Sequence, residues 1–169
     1  MAREMRRKRQ SLSAKAITEV LERNNAAILS LIGDDGYPYG VPLTYVYGND
    51  GNFYFHSAKI GHKIDAIRNN SKACVTVIDE NNVVPEEYTT YFRSVIATGE
   101  VSILDSDEEK LDKIKLLSQK IRPGAEKEMN EAIDREWKGF VIIRFKPVDI
   151  KGKEAIELVK KEGQISRDI

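Results

Sequence analysis

The side chains with chemical reach converge on one stretch, Phe53-Tyr54-Phe55-His56-Ser57-Ala58-Lys59-Ile60-Gly61-His62-Lys63. Both histidines of the chain lie in it, close to Ser57 and Lys63. Its first half is aromatic and strand-like, a short polar turn follows, and an amphipathic run then opens a helix. A helix start carries backbone N–H groups without intrahelical partners and the positive end of the helix dipole. Such a corner suits an anion, phosphate above all. Ser57 supplies a hydroxyl, Lys63 a charge, and His62 a ring that can donate. Arg93, opening a later strand, can clamp a phosphate with two donors. Taken singly, each has an ordinary reading as a solvated lysine, a half-buried imidazole or a barrel-edge arginine. Their convergence is what points to a site.

Other chemistries find less support. Two histidines six apart do not share a helix face, and no cysteine or clustered glutamate completes a zinc shell. Ser57 beside His56 lacks the Gly-x-Ser-x-Gly setting of a hydrolase nucleophile. Neither a phosphate-binding Gly-x-x-x-x-Gly-Lys loop nor a dinucleotide Gly-x-Gly-x-x-Gly is present. The single cysteine, Cys74, sits in Ala73-Cys74-Val75-Thr76-Val77 and reads as a buried, inert thiol.

Charge narrows the class further. The 27 basic residues balance 27 acidic ones, so no overall field favours nucleic acid or an acidic membrane. Arg3, Arg6, Arg7, Lys8 and Arg9 form a local basic cluster, read as a solvated tail in preference to a polyanion-binding arm. No apolar signal region follows it, and no apolar run reaches membrane-spanning length. The expectation is a cytoplasmic protein with no membrane partner and no specific nucleic-acid partner.

The elements that must position the corner follow from pattern. Ser11 or Ser13 caps a first helix with Ile17, Val20 and Leu21 inward. Ala26–Ile32, Tyr37–Tyr47 and Asn52–Ser57 read as strands joined by the tight turns Asp34-Asp35-Gly36 and Asn49-Asp50-Gly51. Pro38 and Pro42 lack ladder donors, so the second strand must be bulged or unpaired where they fall. Ile60–Asn69 is a short helix, Lys72–Ile78 a fourth strand, Asp79–Thr90 a loop, and Tyr91–Leu104 a fifth strand in which Gly99 marks a bulge or close approach. Ser106 and Glu109 make a capping box for a helix with Leu111, Ile114 and Leu117 as its stripe. Pro123-Gly124 breaks it, a further helix spans 125–137, Gly139–Ile150 is the sixth strand, and a charged remainder frays. The fold class is α+β: a six-stranded antiparallel Greek-key barrel with flanking helices. It is laid out as a basic flexible tail (1–10), a barrel domain (11–154) and a charged tail (155–169).

Three segments in order carry a family resemblance. Tyr54 to Lys63, with Asp65, Ile67-Arg68 and Asn69, resembles the segment shared by nitroimidazole-resistance proteins, within the pyridoxamine 5′-phosphate oxidase-like superfamily of FMN-binding split barrels. Gly36-Tyr37-Pro38-Tyr39-Gly40-Val41-Pro42-Leu43 resembles that family's second strand, and Tyr91-Phe92-Arg93-Ser94-Val95-Ile96-Ala97-Thr98-Gly99 its Tyr-x-x-Arg-Ser-Val-x-x-x-Gly strand. The resemblance implies a homodimer with FMN in two symmetric interface clefts. It lays Val41, Pro42, Leu43, Thr44 and Tyr45 along the isoalloxazine ring and places His56, Ser57 and Ala58 beside the ribityl chain and phosphate. His62 and Lys63 would bind the phosphate, and Arg93 and Ser94 would arrive from the partner. It also makes His56 and His62 the candidates for chemistry.

The chain departs from true pyridoxamine phosphate oxidases in two places. Val41 to Val46 carries no charge where they have an Arg-x-x-x-x-Lys pattern, and nothing after Lys151 resembles their substrate-binding tail. The implied activity is that of an FMN-dependent oxidoreductase on a small, nitroaromatic-type substrate, with NAD(P)H as donor. The alternatives are a non-catalytic flavin carrier or sensor, or a haem- or deazaflavin-binding barrel. Tyr45, Tyr91 and Trp137 read equally as stacking residues or as core.

Overall fold

The computed structural model describes residues 4–165; Arg3 of the basic cluster and residues 166–169 of the charged tail lie outside the described residues. Strands β1 (Ala26–Ile32), β2 (Pro38–Tyr47), β3 (Phe53–Ala58), β4 (Lys72–Val84), β5 (Thr89–Ile103) and β6 (Phe140–Glu154) close an antiparallel barrel in the order β1-β2-β3-β6-β5-β4. Alternation along each strand sends Leu29, Leu31, Tyr45, Phe53, Phe55, Val75, Val77, Val95, Ala97 and Phe145 inward, all buried. Helix α1 (Ala14–Arg23) starts at Ser13, whose hydroxyl accepts the Ala16 N–H at 3.2 Å, and adds Val20 and Leu21 to this core. Helix α2 (His62–Asn69) adds Ile64, Ala66 and Ile67. A second core forms where α3 (Asp107–Ile121) and α4 (Glu126–Glu136) set Ile114, Leu117 and Ile133 against Val46, Tyr54, Phe140 and Ile142. The expected α+β split barrel is therefore the observed fold.

Four details differ from the sequence reading, each for a physical reason. Residues 79–90 are not a loop: β4 runs on to Val84 and pairs with β5 as far as Val84↔Thr89, past a register shift between Ile78 and Glu80. On its β4 side Asn81, Asn82 and Val83 are exposed, so polar residues serve and the alternation that signals a strand is missing. The stripe of α3 contains Lys110 instead of Leu111: Lys110 is 7% exposed and Leu111 is 37%. The chain after Glu154 does not fray at once; Ile156–Ile165 forms α5, begun by N–H bonds from Leu158 and Val159 to the Ala155 carbonyl. At the other end, Gln10 is buried and its amide donates to the Glu154 carbonyl at 3.0 Å, which ties the basic segment to the barrel. Gly99 behaves as expected, since the register shifts there and a Cβ would strike the Lys146 carbonyl.

Candidate functional site

The parity of β2 explains the corner. Tyr45 N–H bonds to Asn25 O on the β1 side at 3.0 Å, so odd-numbered residues turn their backbone groups toward β1. Even-numbered Pro38, Gly40, Pro42 and Thr44 therefore face the β3 side. There the ladder with β3 covers only Tyr45↔Phe55, Val46↔Tyr54 and Tyr47↔Phe53. Thr44 and His56 would be the next residues in register, but at that point β2 and β3 part. The two prolines thus direct their missing donors into an edge that has no ladder, as the sequence required. The barrel is split at the place where the histidine-bearing strand ends.

Into this split comes the β3–α2 turn. Gly61 stands before α2 with φ +119° and ψ 168°, a conformation favouring glycine, and its carbonyl accepts the N–H groups of Ile64 and Asp65 at 2.8 and 3.2 Å. No side chain caps α2, and the N–H groups of His62 and Lys63 in its first turn have no intrahelical partner. Ser57 is buried, and Lys63 Nζ donates to its hydroxyl at 2.9 Å while that hydroxyl donates to the Ala58 carbonyl at 3.0 Å. A hydroxyl, an ammonium group and open helix N–H groups converge within one turn. This donor set fits a phosphate.

The two histidines differ in their surroundings. His62 stacks on Tyr39 with ring centroids 4.3 Å apart, and its Nε2 lies 3.2 Å from Asp34 Oδ1 on the β1–β2 turn. It latches α2 to that hairpin. His56 points outward from β3, with its ring 5.5 Å from that of Phe140. Partial burial, together with the nearby Lys63 charge, holds its pKa below the ordinary imidazole value. His56 thus faces outward at the corner with its imidazole biased toward the neutral form.

The other expected residues divide by parity. Val41 and Leu43 pack against the barrel core, and Tyr45 is fully buried, its hydroxyl donating to the Leu21 carbonyl at 2.7 Å. Only Pro42 and Thr44 of that run show side chains to the outside. Tyr45 is therefore core and not a stacking residue. Tyr91 is also buried, with its hydroxyl on Glu87 at 2.8 Å. Arg93 is opposite Glu154, at the far end of β6 from Val141, which pairs with Ser57. Its Nη2 and Nε reach Glu154 Oε2 at 2.8 and 3.0 Å, and Nη1 lies 3.8 Å from Asp79. Burial pushes the Asp79 carboxyl up, but hydrogen bonds from Arg23 and Asn24 and the charge of Arg93 outweigh it and hold it low. Within the chain, Arg93 and Ser94 do not meet the phosphate corner.

Three residues near the corner had no functional reading in the sequence: Lys59, Lys110 and Phe140. Lys110 Nζ donates to the Trp137 carbonyl at 2.6 Å and lies 4.1 Å from both the Trp137 and Phe140 ring centroids. The only sequence signal was a lysine at a position sharing a helix face with Ile114 and Leu117. Among the described residues, no three of His, Cys, Asp and Glu are grouped to hold a metal, and no helix is long and apolar enough to cross a membrane.

The family model for pyridoxamine 5′-phosphate oxidase matches residues 13–154. The chain belongs to the pyridoxamine 5′-phosphate oxidase family. No curated protein matches it. Among solved structures, a candidate 5-nitroimidazole antibiotic resistance protein from Bacteroides thetaiotaomicron is 20% identical over 85% of this chain and 86% of its own, with a TM-score of 0.70. An FAD-binding protein from Mesorhizobium loti is 27% identical over 86% and 95% of the two chains, with a TM-score of 0.60. An FAD- and haem-binding protein from Mycobacterium smegmatis is 18% identical over 87% and 73%, with a TM-score of 0.73. Structural neighbours of this family member thus include flavin- and haem-binding proteins.

Proposed function

We propose that this chain is a flavoprotein that holds FMN by its phosphate at the β3–α2 turn. The observation that carries this reading is the Lys63–Ser57 pair at 2.9 Å beside the uncapped start of α2. Ala58 and the His62 N–H complete the phosphate surround. The open edge of β2, where the backbone of Val41 to Thr44 faces no ladder with β3, would take the isoalloxazine ring. Bound FMN supplies electron and hydride transfer. The protein binds the phosphate, orients the ring and excludes water from one face. His56, outward-facing and held below the ordinary imidazole pKa, exchanges a proton at a ring nitrogen with a small nitroaromatic-type acceptor. His62 positions α2, and NAD(P)H is the electron donor.

The active form is a cytoplasmic homodimer. The outward rows Pro42–Ile28–Thr76–Ile96 and Gly40–Ser30–Cys74–Thr98 cross β2, β1, β4 and β5 without a charged residue, although 32% of the chain is charged. A hollow of about 520 Å³ with apolar walls opens on the same face. A second copy seated here brings its Ser94 and its Arg93, the latter already held by Glu154 and Asp79, to the flavin. The absorbance spectrum of freshly purified protein, followed by FMN titration and anaerobic mixing with NADH and NADPH, tests the reading. A yellow protein bleached by one donor is expected. Colourless protein that takes up no FMN would overturn the cofactor, and a flavin that neither donor bleaches would leave a carrier.

A further inference from the structure

The β1–β2 hairpin is tied to the barrel less firmly at its tip than at its base. On the outer side of β1 the ladder with β4 ends at Ser30↔Cys74. On the outer side of β2 the ladder with β3 begins only at Tyr45↔Phe55. The last pairs of the hairpin, Leu31↔Tyr39 and Ile32↔Pro38, therefore have no further strand on either side. Side chains must hold this tip down. Leu31 and Tyr39 pack on the barrel core, and the His62 imidazole reaches the turn from the start of α2. It stacks on Tyr39 at 4.3 Å, its Nε2 lies 3.2 Å from Asp34 Oδ1, and a Cβ on Gly33 would stand 3.2 Å from the same nitrogen. Three residues of the tip thus meet one ring. The contact is weak enough to open: the His62 and Asp34 side chains are 43% and 66% exposed, and an exposed pair of this kind contributes little.

We propose that the hairpin tip is a flap beside the phosphate corner and that His62 is its latch, a positioning residue that sets how fast a phosphate-bearing ligand enters and leaves. The inference rests on the reading that Lys63, Ser57 and the uncapped start of α2 hold a flavin phosphate. The first turn that offers its N–H groups to the phosphate also carries the latch, so the closed tip narrows the approach to the corner. Releasing the imidazole lets the tip swing from where its ladders stop, at Ser30 and Thr44, while Ile64, Ala66 and Ile67 keep α2 in the core. A latch changes entry and exit together, whereas a phosphate ligand changes exit alone. Gly33 supplies a variant that opens the latch with His62 intact. The methyl group of Gly33→Ala would crowd the imidazole and stand 2.8 Å from Asp35 Oδ1, so the ring must move aside.

Limited proteolysis of the flavin-free protein with endoproteinase Asp-N, read by mass spectrometry, reports on the tip through cuts before the exposed Asp34 and Asp35. The cut before exposed Asp50, in the turn at the other end of β2, is the internal control. His62→Ala and Gly33→Ala should speed the tip cuts about three- to tenfold, the factor that one ring stack and a weak ion contact supply, and leave the Asp50 cut unchanged. His62→Phe, which keeps a ring on Tyr39, should restore most of the protection. In stopped-flow mixing with FMN, both opening variants should raise the association and dissociation rates together. Circular dichroism establishes that each variant is folded. Faster tip cuts in a protein whose wild type binds no FMN would support the latched tip and sink the flavin reading. Tip cuts unchanged in both variants overturn the flap. Faster tip cuts with an unchanged FMN association rate leave a hairpin that gates nothing and overturn the proposal. Faster FMN dissociation in His62→Ala alone, with Gly33→Ala like the wild type, makes His62 a phosphate ligand and overturns it as well.

Discussion

At the scale of single residues, the corner depends on one ammonium group and one imidazole. Lys63 is poised by Ser57 before any anion arrives, so its removal deletes a charge-assisted hydrogen bond of about 1.5–3 kcal/mol. Lys63→Ala should weaken FMN binding by about ten- to a hundredfold in a fluorescence titration, and unchanged affinity would leave Lys63 only solvated. The same lysine lowers the His56 pKa, after burial. A histidine with a folded pKa below its unfolded value takes up more protons when unfolded, so stability rises with pH between the two values and falls on acidification below about 6.5. His56→Gln should therefore flatten the acid side of the Tm–pH curve, and NMR titration of His56 should give a midpoint below the free-imidazole value. In the Lys63→Ala variant that midpoint should move back up.

At the scale of elements, the turn before α2 is held by backbone geometry. A Cβ on Gly61 would touch nothing within 4 Å, so the cost of Gly61→Ala is conformational alone. At φ +119° that cost is of order 1–3 kcal/mol. Chemical denaturation should show this loss, and FMN affinity should drop with it because the first-turn N–H groups shift. This turn was legible in the sequence from its residue types, as were the barrel strands, whose alternation records one face on a core. The prolines of β2 were legible as a problem; their solution needed the hydrogen-bond parity set by Asn25 and Tyr45. The ribbon beyond Ile78 was illegible because on its β4 side Asn81, Asn82 and Val83 are all exposed and leave no alternation to read. Lys110 was illegible because its partners, Trp137 and Phe140, come from a different element, and a lysine in an apolar stripe signals nothing about what it reaches. The role of His62 likewise depends on Asp34 and Tyr39, supplied by a hairpin far away in sequence.

At the scale of the whole molecule, the proposed flavin residues lie in two separate places on the chain. Ser57 and Arg93 pair near opposite ends of β6, and nothing in a rigid closed barrel lets those ends meet. The uncharged rows across β2, β1, β4 and β5 reach from the open edge of β2 to the strand that carries Arg93 and Ser94. Ile96 lies in the outermost of these strands and is 49% exposed, beside Thr76 and opposite Lys151. A carboxylate placed there stays solvated in a monomer, where it perturbs little. In a two-fold dimer it is buried against the same uncharged face, where desolvation costs several kcal/mol per ion and Lys151 across the ladder offsets only part of it. Ile96→Asp should therefore keep its circular dichroism and lose its dimer in sedimentation velocity. If the flavin needs Arg93 and Ser94 of the second copy, FMN affinity should fall in the same variant although its own Lys63, Ser57 and His56 are untouched. A dimeric Ile96→Asp protein would move the interface elsewhere, and a monomer with full FMN affinity would make the β3–α2 corner sufficient by itself.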